Sequence, residues 1–440
     1  MKRVLVLGAG LVSRPLVAHL AAYDDVALTV ADLDPGKAER VLRGCARGRA
    51  LGVTLDDDAT LNTLVGGADA VVSLLPYTLH PRIARAAVAC RVPLVTTSYV
   101  SPDMQKLDGA ARAAGVLLLN EIGLDPGLDH MSAMRMIHKL RRDGARLTSF
   151  RSCCGGLPAP DANTNPWGYK FSWSPRGVLA AGRNAAKWLE AGRVVELPGE
   201  RLFTAVAPYD VPELGAFEVY PNRDSVSYVA TYGIEGVTTM FRGTLRYPGF
   251  CETLDAVSRL GLLDDAARTW PEGTTYRQFM EAFAAPGAGP LAARVAARLG
   301  IATDGAVMNR LAFVGLFGDR ALSRTEVSPI DALCDCMSAA MAYAAGERDM
   351  IVLRHEFGVA LRDGGTSRHV ATLIAYGDPG GDSAMARTVS LPAAVATRLI
   401  LDGKIAATGV RIPVDPEIYE PVLDALEPAG IRFLETRSAP

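Results

Sequence analysis

Three carboxylates lie within one short bend of the sequence. The stretch NEIGLDPGLDHMSAM, residues 120–134, carries Glu121, Asp125 and Asp129 among glycines and a proline, and a run with helical spacing follows. A carboxylate at such a bend can take up a proton during a reaction. It can equally cap the first turn of the following helix. We therefore expect Asp125 to act as a helix cap, as a proton acceptor, or as both.

A second feature that could take part in ligand binding is the turn in VLVLGAGLVSRPLVAHLA, residues 4–21. Gly8 permits a tight turn after a strand, and Gly10 lets a pyrophosphate approach the backbone at the start of a helix. Ser13 takes the place of the third glycine in the usual G-x-G-x-x-G pattern. Because such turns also use glycine for steric reasons alone, the motif predicts a dinucleotide site only together with its context.

Asp32 supplies that context, since it ends the second predicted strand, where an acid accepts hydrogen bonds from an adenosine ribose. The same carboxylate would repel a 2′-phosphate. We therefore predict NAD as the cofactor, with NADP possible because Lys37 and Arg40 could offset the repulsion.

The elements that must position these groups follow a regular pattern up to residue 120. Short apolar runs alternate with segments of helical spacing, which is typical of a parallel sheet covered on both faces. The predicted strands are 4–7, 27–31, 70–75, 94–97 and 116–119, with a weaker one at 51–54. This pattern predicts an α/β fold with a variant Rossmann, doubly wound parallel sheet. Ligands bind at the carboxyl ends of such strands, and here these ends are residues 75–77, 96–99 and 120–125.

The sequence after residue 120 predicts two further domains. The end of the chain is predicted to return to the first domain. Alternating strand-like pieces in 151–247 indicate a mixed α+β sheet, and 252–347 has mostly helical spacing. Two strand runs, 350–364 and 367–378, predict a hairpin that closes the mixed sheet. Helices near 392–401 and 417–426 and a strand at 431–436 are expected to dock on the first domain. The predicted domains are 1–125 plus 385–440, 126–251 plus 348–384, and 252–347.

Composition excludes several classes of function. The chain is 49% hydrophobic and 21% charged, and its formal charge of −2 offers no diffuse attraction for nucleic acid or an anionic membrane. Seven cysteines without regular spacing argue against a disulfide framework and for a reducing, cytoplasmic location. Glycines and Arg14-Pro15 interrupt the apolar N-terminal run, so we expect no signal peptide. We expect no stretch to reach the roughly 18 apolar residues of a membrane span, and we predict a small-molecule substrate.

Several long strings resemble the glutamate-forming saccharopine dehydrogenases and the corresponding half of the bifunctional aminoadipic semialdehyde synthases. The strings, over nearly the whole chain, are GAGLVSRP (8–15), VVSLLPYTLHP (71–81), VTTSYVSP (95–102), NEIGLDPGLDHM (120–131), CGGLPAP (154–160), YKFSWSPRGVL (169–179), YPNRDS (220–225), RGTLRY (242–247) and ERDMIVLRHEFG (347–358). The resemblance implies oxidation of saccharopine to glutamate and aminoadipate semialdehyde by a nicotinamide cofactor. It also implies three domains and a homodimer.

The resemblance further implies roles for individual residues. Because the substrate carries three carboxylates, arginines with two parallel N–H donors are suited to bind it. The implied substrate contacts are Ser98, Tyr99, Arg223, Thr244, Leu245 and Arg246, and the implied proton handlers are Asp125, Tyr99 and Cys154. The implied cofactor contacts are Gly8, Gly10, Leu11, Val12, Ser13, Asp32, Leu75, Pro76, Leu124, Asp125, Pro126 and Ser174.

Each of these roles has a structural alternative. The arginines Arg223 and Arg246 could form ordinary ion pairs, and Cys154 could be a small buried hydrophobe. Lys170 could bind a carboxylate or pair in the core, and His130 is expected on a helix surface or an interface. No cluster has metal-ligand spacing, so no metal is predicted.

Two departures from the family pattern affect these expectations. Cys153 stands where relatives usually have tyrosine, and a disulfide with its neighbour Cys154 would be strained. The sequence ADLDPGK after the second strand lacks the arginine typical of NADP-using fungal members, which favours NAD. Rival functions are a reductive aminase of carboxyspermidine or opine type and a noncatalytic NAD-binding redox sensor.

Overall fold

The structure is a computed structural model that describes residues 1–438. Its contacts divide the chain into two compact units. The first unit is Met1–Arg146 with Ala360–Pro440, of which the last two residues lie outside the described part, and the second is Leu147–Val359.

The N-terminal part of the first unit alternates strands and helices. Its strands are β1 (Lys2–Leu7), β2 (Val26–Asp32), β3 (Gly48–Gly52), β4 (Ala70–Ser73), β5 (Leu94–Thr96) and β6 (Leu117–Leu119). Its helices are α1 (Arg14–Ala21), α2 (Pro35–Val41), α3 (Asp58–Gly66), α4 (His80–Cys90), α5 (Pro102–Gln105), α6 (Asp108–Ala114) and α7 (Leu128–Arg142).

The second unit contains a mixed sheet and a group of helices. Its strands are β7 (Arg146–Pro158), β8 (Ala186–Glu190), β9 (Arg193–Leu197), β10 (Ala207–Val211), β11 (Gly215–Pro221), β12 (Thr239–Arg246), β13 (Arg268–Thr269), β14 (Glu326–Val327) and β15 (Asp349–Ala360). Its helices are α8 (Pro175–Ala181), α9 (Ser227–Thr231), α10 (Phe250–Leu260), α11 (Tyr276–Glu281), α12 (Leu291–Leu299), α13 (Ala306–Phe313) and α14 (Pro329–Ala340).

The chain then returns to the first unit. This part comprises the strands β16 (Thr366–Tyr376), β17 (Gly409–Arg411) and β18 (Leu434–Ser438) and the helices α15 (Ala384–Leu401) and α16 (Pro416–Leu426). The helix α15 packs against α1, and α16 packs against α7. The predicted helix at 392–401 begins eight residues earlier than expected, because Pro392 lies inside the helix and does not start it.

The first unit has the predicted parallel sheet, with strand order β17-β6-β5-β4-β1-β2-β3. Every neighbouring pair in it is parallel. The central strands are apolar and buried on both faces, which explains their continuous hydrophobic runs. The weak strand at 51–54 exists but lies three residues earlier, and β17 was not predicted. The α/β class with a doubly wound parallel sheet is confirmed.

The sheet of the second unit follows the order β10-β11-β12-β7-β15, with β8 beside β12 and β9 beside β8. The strand β12 runs parallel to β7 and antiparallel to β11, so the sheet is mixed, as predicted. The predicted helical region contains α11 to α14, most of α10, and one short antiparallel pair, β13 with β14.

At the end of the chain the predicted hairpin turn is present, and one other detail differs from the prediction. The turn between β15 and β16 is closed by Leu361 N, which donates to Gly365 O at 2.8 Å. However, β16 belongs to the first unit by its contacts and pairs there with β18, the strand predicted at 431–436. The division into three domains stays a prediction.

One helix contradicts the expectation that no stretch is long and apolar enough to span a membrane. Among residues 1–438, α15 passes that test by length and composition. Of the 18 residues of this helix, 67% are buried inside the protein. Such burial is typical of a core helix, and α15 packs in this way against α1.

Candidate active site

The predicted dinucleotide turn joins β1 to α1. Gly8 has a φ of +100°, and a Cβ at this position would lie 3.2 Å from the backbone of Leu74, so that glycine is required. At Gly10, by contrast, no atom lies within 4 Å of the place of a Cβ. That open space and the start of α1 fit a pyrophosphate. Ser13 is buried, and its hydroxyl donates to Gly10 O at 2.7 Å, so it holds the turn from inside.

The other predicted dinucleotide contacts around this turn differ in exposure. Leu11 is 66% exposed, and Val12 is half-buried. Leu75 follows β4, and its Cδ2 lies 3.3 Å from the place of a Gly8 Cβ, whereas the next residue, Pro76, is exposed. The carboxyl end of β4 is thus beside the glycine turn, as the strand pattern predicted.

Asp32 contacts the glycine turn directly. Its Oδ2 accepts a hydrogen bond from Ala9 N at 2.8 Å, and its Oδ1 accepts one from Asp34 N at 3.0 Å. Burial alone would raise the pKa of Asp32, but these hydrogen bonds and nearby Lys37 hold it below the ordinary value. The carboxylate is therefore ionised at neutral pH. Arg40 lies 3.8 Å from the Asp34 carboxylate.

A buried histidine connects the ends of β4 and β5. Nδ1 of His80 lies 3.1 Å from Ser73 Oγ, and its Nε2 lies 2.9 Å from Thr96 Oγ1 and 3.0 Å from Ser98 Oγ. Burial lowers the pKa of His80 to about 4, so the ring is neutral at physiological pH. Ser98, a predicted substrate contact, is therefore held by a residue that the sequence did not single out.

Tyr99 and Asp125 are brought together at the same edge of the sheet. The Tyr99 hydroxyl donates to Asp125 Oδ1 at 2.9 Å. Tyr99 follows β5 and Asp125 follows β6, so two separate strand ends supply the pair. A phenol joined to a carboxylate can transfer a proton to or from a bound group.

The bend that carries Asp125 is closed by its own backbone. Gly123 N donates to Pro126 O at 3.0 Å, and Leu128 N donates to Gly123 O at 2.8 Å. Gly127 has a φ of +146°, and a Cβ there would lie 2.1 Å from the backbone of Gly123. No larger residue fits at that position.

The structure does not support the alternative that Asp125 caps a helix. The N-cap of α7 is Gly127, which makes no side-chain cap hydrogen bond. Asp129 serves this helix start, because its Oδ1 accepts from Gly127 N at 2.6 Å and from His130 N at 2.9 Å. Leu124 and Pro126, which flank Asp125, are both buried.

His130 does not lie on a helix surface, so that expectation is wrong. Its side chain is fully buried, and its Nε2 lies 2.8 Å from Glu121 Oε2. Glu121, itself only 5% exposed, was not assigned a role from sequence. The error arose because helical spacing cannot show that a residue nine positions earlier folds back onto the helix.

In the second unit, Arg246 occupies a pocket of aromatic rings. It is 4% exposed, and its guanidinium carbon lies 5.0 Å from the ring centre of Tyr169, 5.1 Å from that of Phe250 and 5.9 Å from that of Tyr220. Its Nη1 donates to Leu245 O at 2.8 Å, and its buried Nε has no hydrogen-bond partner among the described residues. This does not match the alternative of an ordinary ion pair, and it leaves a buried cation able to accept an anion.

Other predicted contacts lie on β12, the strand that carries Arg246, and on its neighbour β7. Thr244 of β12 is in register with Cys154 of β7 and with Tyr220 of β11. Leu245 and Cys154 are buried. Cys153 is the next residue on β7; burial raises its pKa to about 12, and neither cysteine forms a disulfide.

Arg223 and Ser174 lie on loops of the second unit. Arg223 follows β11, is exposed, and has a φ of +52°, which is uncommon for a residue with a side chain. Ser174 is exposed, and its hydroxyl accepts from Gly177 N at 3.1 Å as the N-cap of α8. That contact is a structural role, which leaves the cofactor role of Ser174 a prediction.

Lys170 is paired in the core, which decides between its two readings. It forms an ion pair with Glu347 and donates to Thr164 Oγ1 at 2.9 Å. Within residues 1–438, no group of three or more His, Cys, Asp or Glu side chains is arranged to hold a metal ion.

Comparison with known proteins agrees with this architecture. Residues 4–119 match the saccharopine dehydrogenase NADP binding domain, and residues 123–431 match the saccharopine dehydrogenase C-terminal domain. The border between the two matches lies between β6 and the bend that carries Asp125.

Relatives align over nearly the full length. The NADP(+)-dependent, L-glutamate-forming saccharopine dehydrogenase of Saccharomyces cerevisiae is 38% identical over 97% of both chains. The mitochondrial alpha-aminoadipic semialdehyde synthase of Bos taurus is 38% identical over 98% of this chain and 47% of its own length. The apo structure of saccharopine dehydrogenase (L-Glu forming) from Saccharomyces cerevisiae covers all of both chains at 37% identity, with a TM-score of 0.89. The chain belongs to the saccharopine dehydrogenase family.

Proposed function

We propose that the protein oxidises saccharopine with a nicotinamide dinucleotide and water to L-glutamate and L-2-aminoadipate 6-semialdehyde, a step of lysine metabolism. The observation that carries this is the Tyr99–Asp125 hydrogen bond of 2.9 Å, formed at the carboxyl edge of the sheet that also bears the glycine turn. Family membership supports the same assignment.

The reaction needs proton transfers that this pair can perform. The secondary amine of saccharopine must be neutral before a hydride can leave the carbon attached to its nitrogen. A base must therefore first accept the proton of the amine. When bound, the dinucleotide accepts the hydride from that carbon. Water then adds to the carbon–nitrogen double bond, and an acid must protonate the nitrogen that leaves as the amine of glutamate. We assign these transfers to Asp125 and Tyr99, with Cys154 as a third candidate.

The substrate contact that the structure supports best is Arg246, in the second unit. Saccharopine has three carboxylates, and Arg246 is a buried cation without an ion-pair partner among the described residues. A carboxylate would supply the charge and the acceptor that its Nε lacks. The other substrate contacts that the family resemblance implies stay predictions, namely Arg223, Thr244 and Leu245 of the second unit and Ser98 and Tyr99 of the first.

For the cofactor, we propose a preference for NAD. The ionised carboxylate of Asp32 lies next to the glycine turn, where it would bind a ribose hydroxyl and repel a 2′-phosphate. The yeast relatives are named as NADP(+) enzymes, so this preference would distinguish the chain from them. Lys37 and Arg40 are the cations that would otherwise compensate a phosphate.

Purified protein tests the function directly. Saccharopine with NAD or NADP at mildly alkaline pH should produce reduced cofactor and an equal amount of glutamate. A failure with both cofactors would overturn the assignment. Turnover of carboxyspermidine or an opine alone would point to the related reductive aminases, and cofactor binding without any turnover would point to a redox sensor. A homodimer and a cytoplasmic location remain predictions, which sedimentation and cell fractionation would check.

A further inference from the structure

Glu121 has an unusual backbone in a buried position. Its φ is +57°, in the left-handed region that residues with side chains rarely adopt, and it is 5% exposed. Such a conformation persists only where surrounding contacts enforce it, and it often marks functional sites. The contacts of Glu121 should therefore show what this conformation serves.

Those contacts converge on the segment that carries Tyr99. Glu121 N donates to Ser98 O at 3.1 Å, and Glu121 Oε1 accepts from Val100 N at 2.9 Å. One residue thus holds the backbone immediately before and immediately after Tyr99. The left-handed conformation lets the N–H and the side chain of Glu121 both reach this segment.

The second oxygen of the Glu121 carboxylate is held by a residue of a different element. His130, in the first turn of α7, places Nε2 at 2.8 Å from Glu121 Oε2, and both side chains are buried. The start of that helix is in turn fixed by Asp129, which accepts from Gly127 N. A buried carboxylate with both oxygens engaged has little freedom to move.

We propose that Glu121 and His130 form a positioning pair that fixes Tyr99 so that its hydroxyl meets Asp125. Glu121 links the end of β5, where Tyr99 lies, to the bend after β6, where Asp125 lies. His130 orients the carboxylate that makes this link. Neither residue is assigned a contact with substrate or cofactor. The proposal rests on the proposed function, in which Tyr99 and Asp125 transfer protons.

The test is a double-mutant cycle. Glu121→Ala and Tyr99→Phe are measured alone and together for saccharopine oxidation. Because Glu121 acts through Tyr99, we expect Glu121→Ala to lower kcat at least about 10-fold with a KM for NAD changed less than twofold, and to add almost nothing in the Tyr99→Phe background. Additive effects in the two backgrounds would overturn the proposal, since a general loss of structure does not depend on the tyrosine hydroxyl.

Two further variants keep the test decisive if Glu121→Ala fails to fold. Glu121→Gln retains an acceptor for Val100 N, so it should recover part of kcat, and His130→Asn should show the same dependence on Tyr99. A matched control is Asp69→Ala, because Asp69 also accepts a backbone N–H, from Arg3, and pairs with a cation, but at the amino end of β4. It should lower the melting temperature and leave kcat unchanged.

A crystal structure of Glu121→Ala separates this proposal from the proposed function. The hydrogen bond between Tyr99 and Asp125 should be lost in that variant and kept in Asp69→Ala. If the unaltered protein does not oxidise saccharopine, the proposed function fails, yet this structural result still decides the positioning of Tyr99. Retention of the hydrogen bond in Glu121→Ala would overturn the positioning role.

Discussion

The Tyr99 hydroxyl donates to Asp125 Oδ1 at 2.9 Å, although the two residues follow different strands of the parallel sheet. Proton transfer by a positioned side chain typically contributes about 100-fold or more to a rate. We expect Asp125→Asn to lower kcat by about 100-fold, because an amide accepts no proton. Stopped-flow measurement of reduced cofactor would check this. Unchanged kcat would exclude Asp125 as the base and leave Tyr99 and Cys154 as the candidates.

Replacing Arg246 by methionine should weaken saccharopine binding. Loss of one partner of a buried charge pair costs about 2–5 kcal/mol, which corresponds to about a 30-fold or larger rise in KM. Methionine fills a similar volume among the three rings, so the fold should persist. The control is Arg277→Met, since Arg277 forms an exposed ion pair with Asp319. Equal KM values in the two variants would contradict the carboxylate role.

Replacing Asp32 by serine should shift cofactor preference toward NADP. The change removes the ionised carboxylate and keeps a small polar side chain next to Ala9 N. We expect the ratio of kcat/KM for NAD to kcat/KM for NADP to fall by about 10-fold, which corresponds to about 1.4 kcal/mol. If the unaltered protein already prefers NADP, the electrostatic argument for Asp32 is wrong, and Lys37 and Arg40 become the residues to vary.

His80 should make the protein sensitive to acid. In the unfolded chain its imidazole binds a proton near pH 6.5, whereas in the folded protein burial lowers its pKa to about 4. Its contribution to stability is therefore complete above about pH 6.5 and is lost as the pH falls toward 4. Between pH 7 and pH 5 this single group should remove about 2 kcal/mol from the free energy of unfolding.

Urea unfolding of the protein and of His80→Gln at these two pH values measures that loss. The glutamine variant should be less stable at pH 7, because the contacts with Ser73 and Thr96 are weakened. Between pH 7 and pH 5, its free energy of unfolding should nevertheless fall by about 2 kcal/mol less than that of the unaltered protein. Half-buried His19, whose pKa is also lowered by burial, is present in both proteins, so its effect cancels. Equal losses would show that His80 is not the group responsible.

Parts of the fold with a strong local pattern could be predicted from the sequence. Long apolar runs gave β1, β2 and β4, and the rule that ligands bind at carboxyl ends led to Tyr99 and Asp125. The strand β17 has only three residues, and its pairing with β6 brings together segments nearly 300 positions apart. No local pattern carries that information.

The buried polar residues of the site were harder to predict. His130 was expected on a helix surface or an interface, and His80 was not singled out, because the partners of both come from other strands and bends. The role of Glu121 depends on a positive φ, which the sequence suggests only for glycine. In contrast, Arg246 was identified because the string RGTLRY resembles a known family. Its aromatic surroundings became visible only in the structure.

The closed bend between Gly123 and Gly127 has a consequence for redesign. The backbone hydrogen bonds from Gly123 N and Leu128 N close it without the side chain at position 125. Glycines and backbone hydrogen bonds set the shape of the bend, so we expect the side chain at position 125 to be replaceable without a change in that shape. Glutamate, histidine or cysteine installed at this position would present a different acid or base from an unaltered backbone. Position 125 is therefore a place where a single substitution could change the acid or base that the site presents.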